Sequence, residues 1–193
     1  MKELSLNVLD IAENSVKAEA RLTEIRIDET DDLLTLTIQD DGRGMTSDVV
    51  KTVTDPFYTT RTTRKVGMGL PLLKLEAEMT GGTLTVESRH QSEFPDSHGT
   101  TVTAVFHKNH IDFIPLGDIV SSITTLIQGH PDSDFLFTHT LPDKTVTLDT
   151  RALRQVLEDV PLNSFEVIQW IGEYLNEQYE IKSGKEEQYE VIG

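Results

Sequence analysis

The chain contains no cysteine. A disulfide framework and a thiolate metal centre are therefore excluded, and a cytoplasmic setting is the expectation. No stretch approaches the ~20 consecutive apolar residues of a membrane-spanning helix. The N-terminus, Met1-Lys2-Glu3-Leu4-Ser5-Leu6, lacks the apolar run of a secretory signal, so a soluble chain is expected. Basic residues are scarce. Seventeen Lys and Arg against 33 Asp and Glu give a formal net charge of −16, which disfavours nonspecific binding to nucleic acid or to an anionic membrane. A Walker-type phosphate loop, a zinc-protease His pair and a nucleophile elbow are all missing. The six histidines, His90, His98, His107, His110, His130 and His139, show no helical ligand spacing and read as surface or structural residues. Internal repeats and low-complexity tracts are absent as well.

What is present fits one medium domain, or a small domain with an appendage, in 193 residues. That length can bury a core without staples. The charge is uneven: residues 1–110 carry a net −6 and residues 111–193 a net −10. With the change in pattern near residue 110, this divides the chain into a domain over 1–110 and an acidic C-terminal α+β region over 111–193.

Periodicity supplies the elements. Leu4, Val8, Ile11, Ala12 and Val16 recur at helical spacing within residues 3–19. Leu22–Ile27 and Leu33–Gln39 read as strands joined at Thr30-Asp31-Asp32 into a hairpin. Thr46 or Ser47 can cap a short helix through Thr52. The stretch 54–66 reads as a loop, and 69–80 as a helix stopped by Gly81-Gly82. Strands are expected over 83–88 and 100–106. A helix over 117–128, a hairpin from 135–140 and 145–150, and helices over 150–159 and 164–178 follow. The polar tail from Ile181 is expected to fray.

Three short stretches carry chemistry. Asp40 ends an apolar strand directly before Gly42 and Gly44. A carboxylate there can accept a hydrogen bond from the exocyclic amine of adenine, and glycines let a base approach the backbone. The same residues also suit an ordinary acidic turn. Asp10 and Asn14 lie four apart on one helix face. The Asn oxygen suits Mg²⁺, a hard ion that prefers oxygen. The acid could orient or deprotonate a water, and Lys17 could reach phosphate; a solvated helix face fits the same triplet. Gly67 and Gly69 open a helix whose unpaired N–H groups can hold phosphate, with Arg61, Arg64 and Lys65 just before it. A plain glycine helix entry with a solvated basic loop fits them too.

In combination and in this order, the stretches resemble the ATP-binding domain shared by sensor histidine kinases, anti-sigma-factor kinases, DNA gyrase B, Hsp90 and MutL. Asp10-Ile11-Ala12-Glu13-Asn14 is similar to the motif that places an acid four residues before the Mg²⁺-binding Asn. Asp40-Asp41-Gly42-Arg43-Gly44, followed by Met45, is similar to the adenine motif. Asp55 to Arg61, containing Phe57, resembles the segment that introduces the mobile lid. Gly67-Met68-Gly69-Leu70 resembles the second glycine motif, and Gly99-Thr100 the strand whose Thr helps hold adenine. The resemblance covers about residues 1–107. Three departures stand out. Asp10 replaces the usual Glu, Lys65 stands where a further Gly is common, and no phosphoacceptor His lies in a helical dimerisation pattern.

The resemblance implies an α+β fold, a two-layer α/β sandwich with a mixed, mostly antiparallel sheet. Nucleotide would lie between the helices and the lid, and a small C-terminal α+β appendage would follow. It implies ATP and Mg²⁺ as cofactors, with Asn14 holding the metal and Asp10 positioning the attacking group. Asp40, Gly42, Gly44, Met45 and Thr100 would surround adenine. Lys17, Arg61, Gly67 and Gly69 would hold the phosphates, and Phe57, Met68 and Leu70 would also belong to the nucleotide site. The implied function is a stand-alone regulatory kinase or ATPase acting on a partner protein, either a phosphoacceptor or a sequestered regulator. The alternative is a nucleotide-gated protein-binding module with little turnover. A homodimer is compatible with either.

Overall fold

Alternation of branched and polar residues makes the strands, and it decides which face of the sheet is covered. In the computed structural model, which describes residues 3–55 and 68–181, six strands form one sheet in the order β3-β4-β2-β1-β5-β6. They are β1 (Leu22–Glu29), β2 (Leu33–Asp40), β3 (Thr83–Arg89), β4 (Gly99–His107), β5 (Asp134–Thr140) and β6 (Thr145–Asp149). Neighbours are antiparallel except β1 and β5, which run parallel. The described helices are α1 (Leu4–Lys17), α2 (Ser47–Thr52), α3 (Gly69–Met79), α4 (Ile119–Gly129), α5 (Thr150–Leu157) and α6 (Phe165–Glu180). Sheet and helices form the expected two-layer α+β sandwich.

Register aligns the apolar rows across strands. Ile25 pairs with Ile38 on one side and Phe137 on the other, Ile38 with Val102, and Phe137 with Leu148. Their side chains share one face, because successive residues of a strand point to opposite sides. The buried stripes of α1 (Leu4, Val8, Ile11, Ala12), α3 (Leu73, Ala77) and α4 (Ile123, Leu126, Ile127) join that face in a single core. The opposite face carries Thr, Glu and Arg residues such as Glu24, Arg26, Thr35 and Thr103.

The family of expected elements is recovered with shifts of one or two residues at the ends. The helix expected from Gly117 begins at Ile119, because the Asp118 side chain accepts from the Ser121 N–H at 2.9 Å and fixes the cap there. Thr46 occupies the N-cap of α2 in extended geometry, but its side chain makes no capping hydrogen bond. The segment after residue 110, expected as an appendage, adds β5 and β6 to the same sheet. It also binds α1 directly: the N–H groups of Leu4 and Ser5 donate to the carbonyls of Pro115 and Leu116 at 3.0 and 2.8 Å. Two of the helix's otherwise unpaired donors are thereby satisfied. The tail beyond Ile181 lies outside the described residues.

Candidate functional site

The end of β2 is where the sheet, α1 and α3 converge. Asp40 and Asp41 are adjacent in sequence and do different work. Asp41 turns outward, and its Oδ1 accepts the N–H groups of Arg21 and Leu22 at 2.7 and 2.9 Å. It thereby ties the start of β1 to the end of β2. Asp40 points to the core face. Its Oδ2 accepts the Ser15 hydroxyl of α1 at 2.8 Å, and its Oδ1 accepts the Gly42 N–H at 2.9 Å. Burial raises the Asp40 pKa above the ordinary aspartate value, against the hydrogen bonds from Ser15, Gly42 and Thr100 that favour the charged form.

Beside Asp40 lies a cavity of about 410 Å³, within the range of small-molecule sites. Its floor is two successive same-face pairs of the sheet, Asp40 with Thr100 and Ile38 with Val102. One wall is α1, through Ile11, Asn14, Ser15, Lys17 and Ala18. Val49 of α2, Val53 just after it, Met45, Arg43, Gly44 and Leu70 of α3 complete it. The lining is mostly apolar, with few polar groups: the Asp40 carboxylate, the Asn14 amide, the Ser15 and Thr100 hydroxyls, and the cations Lys17 and Arg43.

A hydrogen-bonded support stands behind the floor. The Ser88 hydroxyl of β3 accepts the Met45 N–H at 2.7 Å, donates to the Gly99 carbonyl at 3.0 Å and meets the Thr100 hydroxyl at 2.8 Å. It thus fixes Met45 and Thr100 relative to each other. At the two glycines of the turn, protein atoms crowd the place a Cβ would take. A Cβ on Gly42 would lie 2.8 Å from the Ala18 carbonyl oxygen, and one on Gly44 only 2.0 Å from that of Arg89. Gly44 also has φ +69°, a conformation that favours glycine. His98 Nδ1 contacts the Gly42 carbonyl at 2.5 Å, so this histidine buttresses the turn.

Of the residues expected at the site, Asn14, Lys17, Asp40, Gly44, Met45, Leu70 and Thr100 line the cavity. Gly42 supports it from behind. Asp10 and Gly69 meet beside it: a Cβ on Gly69 would lie 2.1 Å from the Asp10 Oδ2, so the acid of α1 rests against the first turn of α3. Met68 is exposed, immediately before that turn. Phe57, Arg61 and Gly67, with Arg64 and Lys65, lie outside the described residues.

The first 110 residues carry the signature that decides the family: the sequence profile of histidine kinase-, DNA gyrase B- and HSP90-like ATPases matches residues 2–110. The chain belongs to that family. Solved structures share the fold of these ATPases. The N-terminal domain of a DNA repair protein matches with a TM-score of 0.53 and 18% identity, over 77% of this chain and 53% of that one. The chain thus spans about half the length of that domain. The Aquifex aeolicus MutL ATPase domain complexed with ADP matches with a TM-score of 0.51 and 13% identity, over 92% of this chain and 70% of that one. No curated protein sequence matches the chain. The ATPase profile ends at residue 110, whereas the sheet continues through β5 and β6.

The sequence reading missed Ser15, Ile38, Val49, Val53, Val102 and Ser88. Their signals are weak but physical. Ile38 and Val102 lie two residues from Asp40 and Thr100, on the same strand faces. Ser15 lies four residues from Ile11 on α1. Ser88 becomes legible only through the β3–β4 register, where it sits opposite Thr100.

Among the described residues no three His, Asp or Glu side chains could together hold a metal ion, and no helix is long and apolar enough to cross a membrane. An Mg²⁺ ion that keeps several waters and binds mainly through phosphate oxygens needs only one protein oxygen. The Asn14 side chain in the cavity wall fits that requirement.

Proposed function

We propose that this chain is a Mg-ATP-binding regulatory domain that acts on a partner protein by phosphoryl transfer or ATP hydrolysis, without a phosphoacceptor of its own. The observation that carries the reading is the half-buried Asp40 carboxylate at the end of an apolar slot, held by Ser15 and Gly42 so that its remaining lone pairs can accept an amine. A purine with an exocyclic amine suits this donor and acceptor pattern. Thr100, directly across the β2–β4 pair from Asp40, offers a hydroxyl, and Met45, Ile38 and Val102 supply the apolar faces.

In this reading Asn14 holds the Mg²⁺ that arrives with the triphosphate, and the metal supplies charge neutralisation. Lys17, together with Arg61 and the N–H groups that open α3 near Gly67, Met68, Gly69 and Leu70, receives phosphate oxygens. Phe57, outside the described residues, joins the nucleotide site by its resemblance to the segment that introduces the lid in this family. Asp10 positions the attacking hydroxyl or water. Phosphoryl transfer rests on positioning and charge neutralisation more than on basicity, so a short acid at this position is compatible with turnover. The setting is cytoplasmic.

One observation favours the second reading, a nucleotide-gated binding module. Asp10 lies against Gly69 rather than in the cavity lining, a position suited to sensing the first turn of α3. Titration with Mg-ATP in a calorimeter tests the shared premise. Binding that vanishes in Asp40→Asn supports the purine pose, and unaltered affinity in that variant refutes it. Incubation with ATP labelled on the γ-phosphate separates the readings. Released phosphate or labelled protein that is lost in Asn14→Ala identifies an enzyme, whereas binding without turnover identifies the module.

A further inference from the structure

The last two helices leave an apolar surface that the ATP-site reading does not use. α5 presents Leu153, Val156 and Leu157, and α6 presents Val167 and Trp170. Between them lies a hollow of about 260 Å³, which Glu166 also lines. Val156 is 81% exposed and Phe165 76% exposed, and Val160 stands in solvent between the helices. Trp170 stacks on Tyr174 at 4.9 Å with an 11° interplanar angle, which holds the indole at the rim. Monomeric proteins rarely leave clustered large apolar side chains in water without a partner. The α5–α6 link contributes a second observation. Glu158 closes α5 at φ +51° and ψ −107°, a conformation that costs a non-glycine residue free energy.

The charges around the hollow select what can cover it. α6 carries Glu166, Glu173, Glu177 and Glu180 and has no Lys or Arg. Glu158, Asp159 and Glu166 are exposed, and among the described residues none of them forms an ion pair. Both arginines of α5 are engaged elsewhere. Arg151 grips Asp149 at 2.9 and 2.8 Å, and Arg154 grips Asp134 at 2.8 Å and also the carbonyls of Pro131 and Ser133. The rim is therefore negative. A second copy of this chain, at net charge −16, would bring like charge to it, and so would an anionic lipid surface.

We propose that the α5–α6 hollow docks a basic amphipathic helix of a partner protein. The apolar face of that helix covers Val156, Phe165 and Trp170, and its Lys or Arg residues meet Glu158, Asp159 and Glu166. Helix-in-groove recognition places apolar anchors at i, i+3/i+4 and i+7, and opposite charge on the rim guides approach and orientation. The inference is independent of the nucleotide site, because no residue of the hollow lines the ATP cavity.

Trp170 is the only tryptophan in the chain and sits at the docking surface, so its emission reports occupancy. The probe is a tryptophan-free synthetic helical peptide with leucine on one face and lysine on the other, titrated into the full chain. The expected result is a saturable, one-to-one blue shift that weakens with added salt. Val156→Asp and, separately, Glu166→Lys should each weaken it at least tenfold. Both positions are exposed, so circular dichroism and Mg-ATP binding should stay at wild-type values in the two variants. The proposal is overturned if a glutamate-faced version of the peptide shifts Trp170 equally, or if both variants bind the lysine peptide as wild type does. It is likewise overturned if sedimentation shows a dimer that Val156→Asp dissociates, or if phosphatidylserine vesicles shift the emission while the lysine peptide does not.

Discussion

Replacing Glu29 by Gln should remove a large, pH-dependent part of this protein's stability. Glu29 ends β1 at a junction of distant segments. Its Oε2 accepts the Lys108 ammonium at 2.7 Å, and its Oε1 meets His139 Nε2 of β5 at 3.1 Å. The other ring nitrogen of His139 meets the Tyr179 hydroxyl of α6 at 2.8 Å. With Nε2–H donating to the carboxylate, Nδ1 accepts the tyrosine proton, so a relay of hydrogen bonds crosses from α6 to β1. The hydrogen bond from His139 is the chief cause that lowers the Glu29 pKa from 4.5 to about 2, and Lys108 adds to it, against burial. Burial pushes the Tyr179 hydroxyl above the ordinary phenol value, which keeps it a neutral donor.

A shift of that size corresponds to about 3 kcal/mol of folding free energy by proton linkage. The folded-state value lies below the unfolded one, so the contribution is complete above pH 4.5 and drains as pH falls toward 2. Denaturant unfolding of wild type and Glu29→Gln, followed by circular dichroism at pH 7, 5, 4 and 3, reads the difference directly. At pH 7 the variant should be less stable by about 3 kcal/mol, and by pH 3 roughly 2 kcal/mol of that gap should have closed. A gap that stays constant from pH 7 to pH 3, or no gap at pH 7, would refute the assignment of this cluster as an acid-sensitive clasp.

Nucleotide affinity should fall on acidification at a pH above the ordinary aspartate value of 3.8, because Asp40 is held upward by burial; calorimetry with Asp40→Asn, which should bind weakly at every pH, checks the source of the effect. In Gly69→Ala the new Cβ would sit 2.1 Å from the Asp10 carboxylate, so Asp10 must swing away. Phosphate release should change while the unfolding midpoint moves little, and a large loss of stability with unaltered turnover would contradict this. Phe106 of β4 is fully buried in the core, and Phe106→Ala should cost about 3–5 kcal/mol in denaturant unfolding.

The sheet's strands were legible because Ile25, Ile27, Leu34, Leu36 and Ile38 alternate with polar residues, and helices because Leu4, Val8, Ile11 and Ala12 recur at helical spacing. Topology was not. Nothing local to β1 announces that Phe137, more than a hundred residues later, will lie beside Ile25 in a parallel pair. In the candidate site, Asp40, Asn14 and Thr100 stood out because carboxylate, amide and hydroxyl groups carry chemistry wherever they fall. The apolar walls did not, because Val49, Val53 and Val102 look like any core valine until the fold gathers them. The glycines were half legible for a related reason: sequence shows that a Cβ is missing, whereas only the fold shows that the freed space at Gly42 lies against Ala18.

The stitching of the α1 N-terminus to residues 115 and 116 makes the familiar boundary at residue 110 a poor place to cut. A fragment ending there would lose the acceptors for two α1 amides, the Glu13–His130 contact at 2.7 Å, and the whole outer partner of β1. What would remain is a naked sheet edge beside Ile25 and Ile27, the kind of template on which chains stick together. Anyone trimming this protein to its recognisable ATPase half should therefore expect insoluble material.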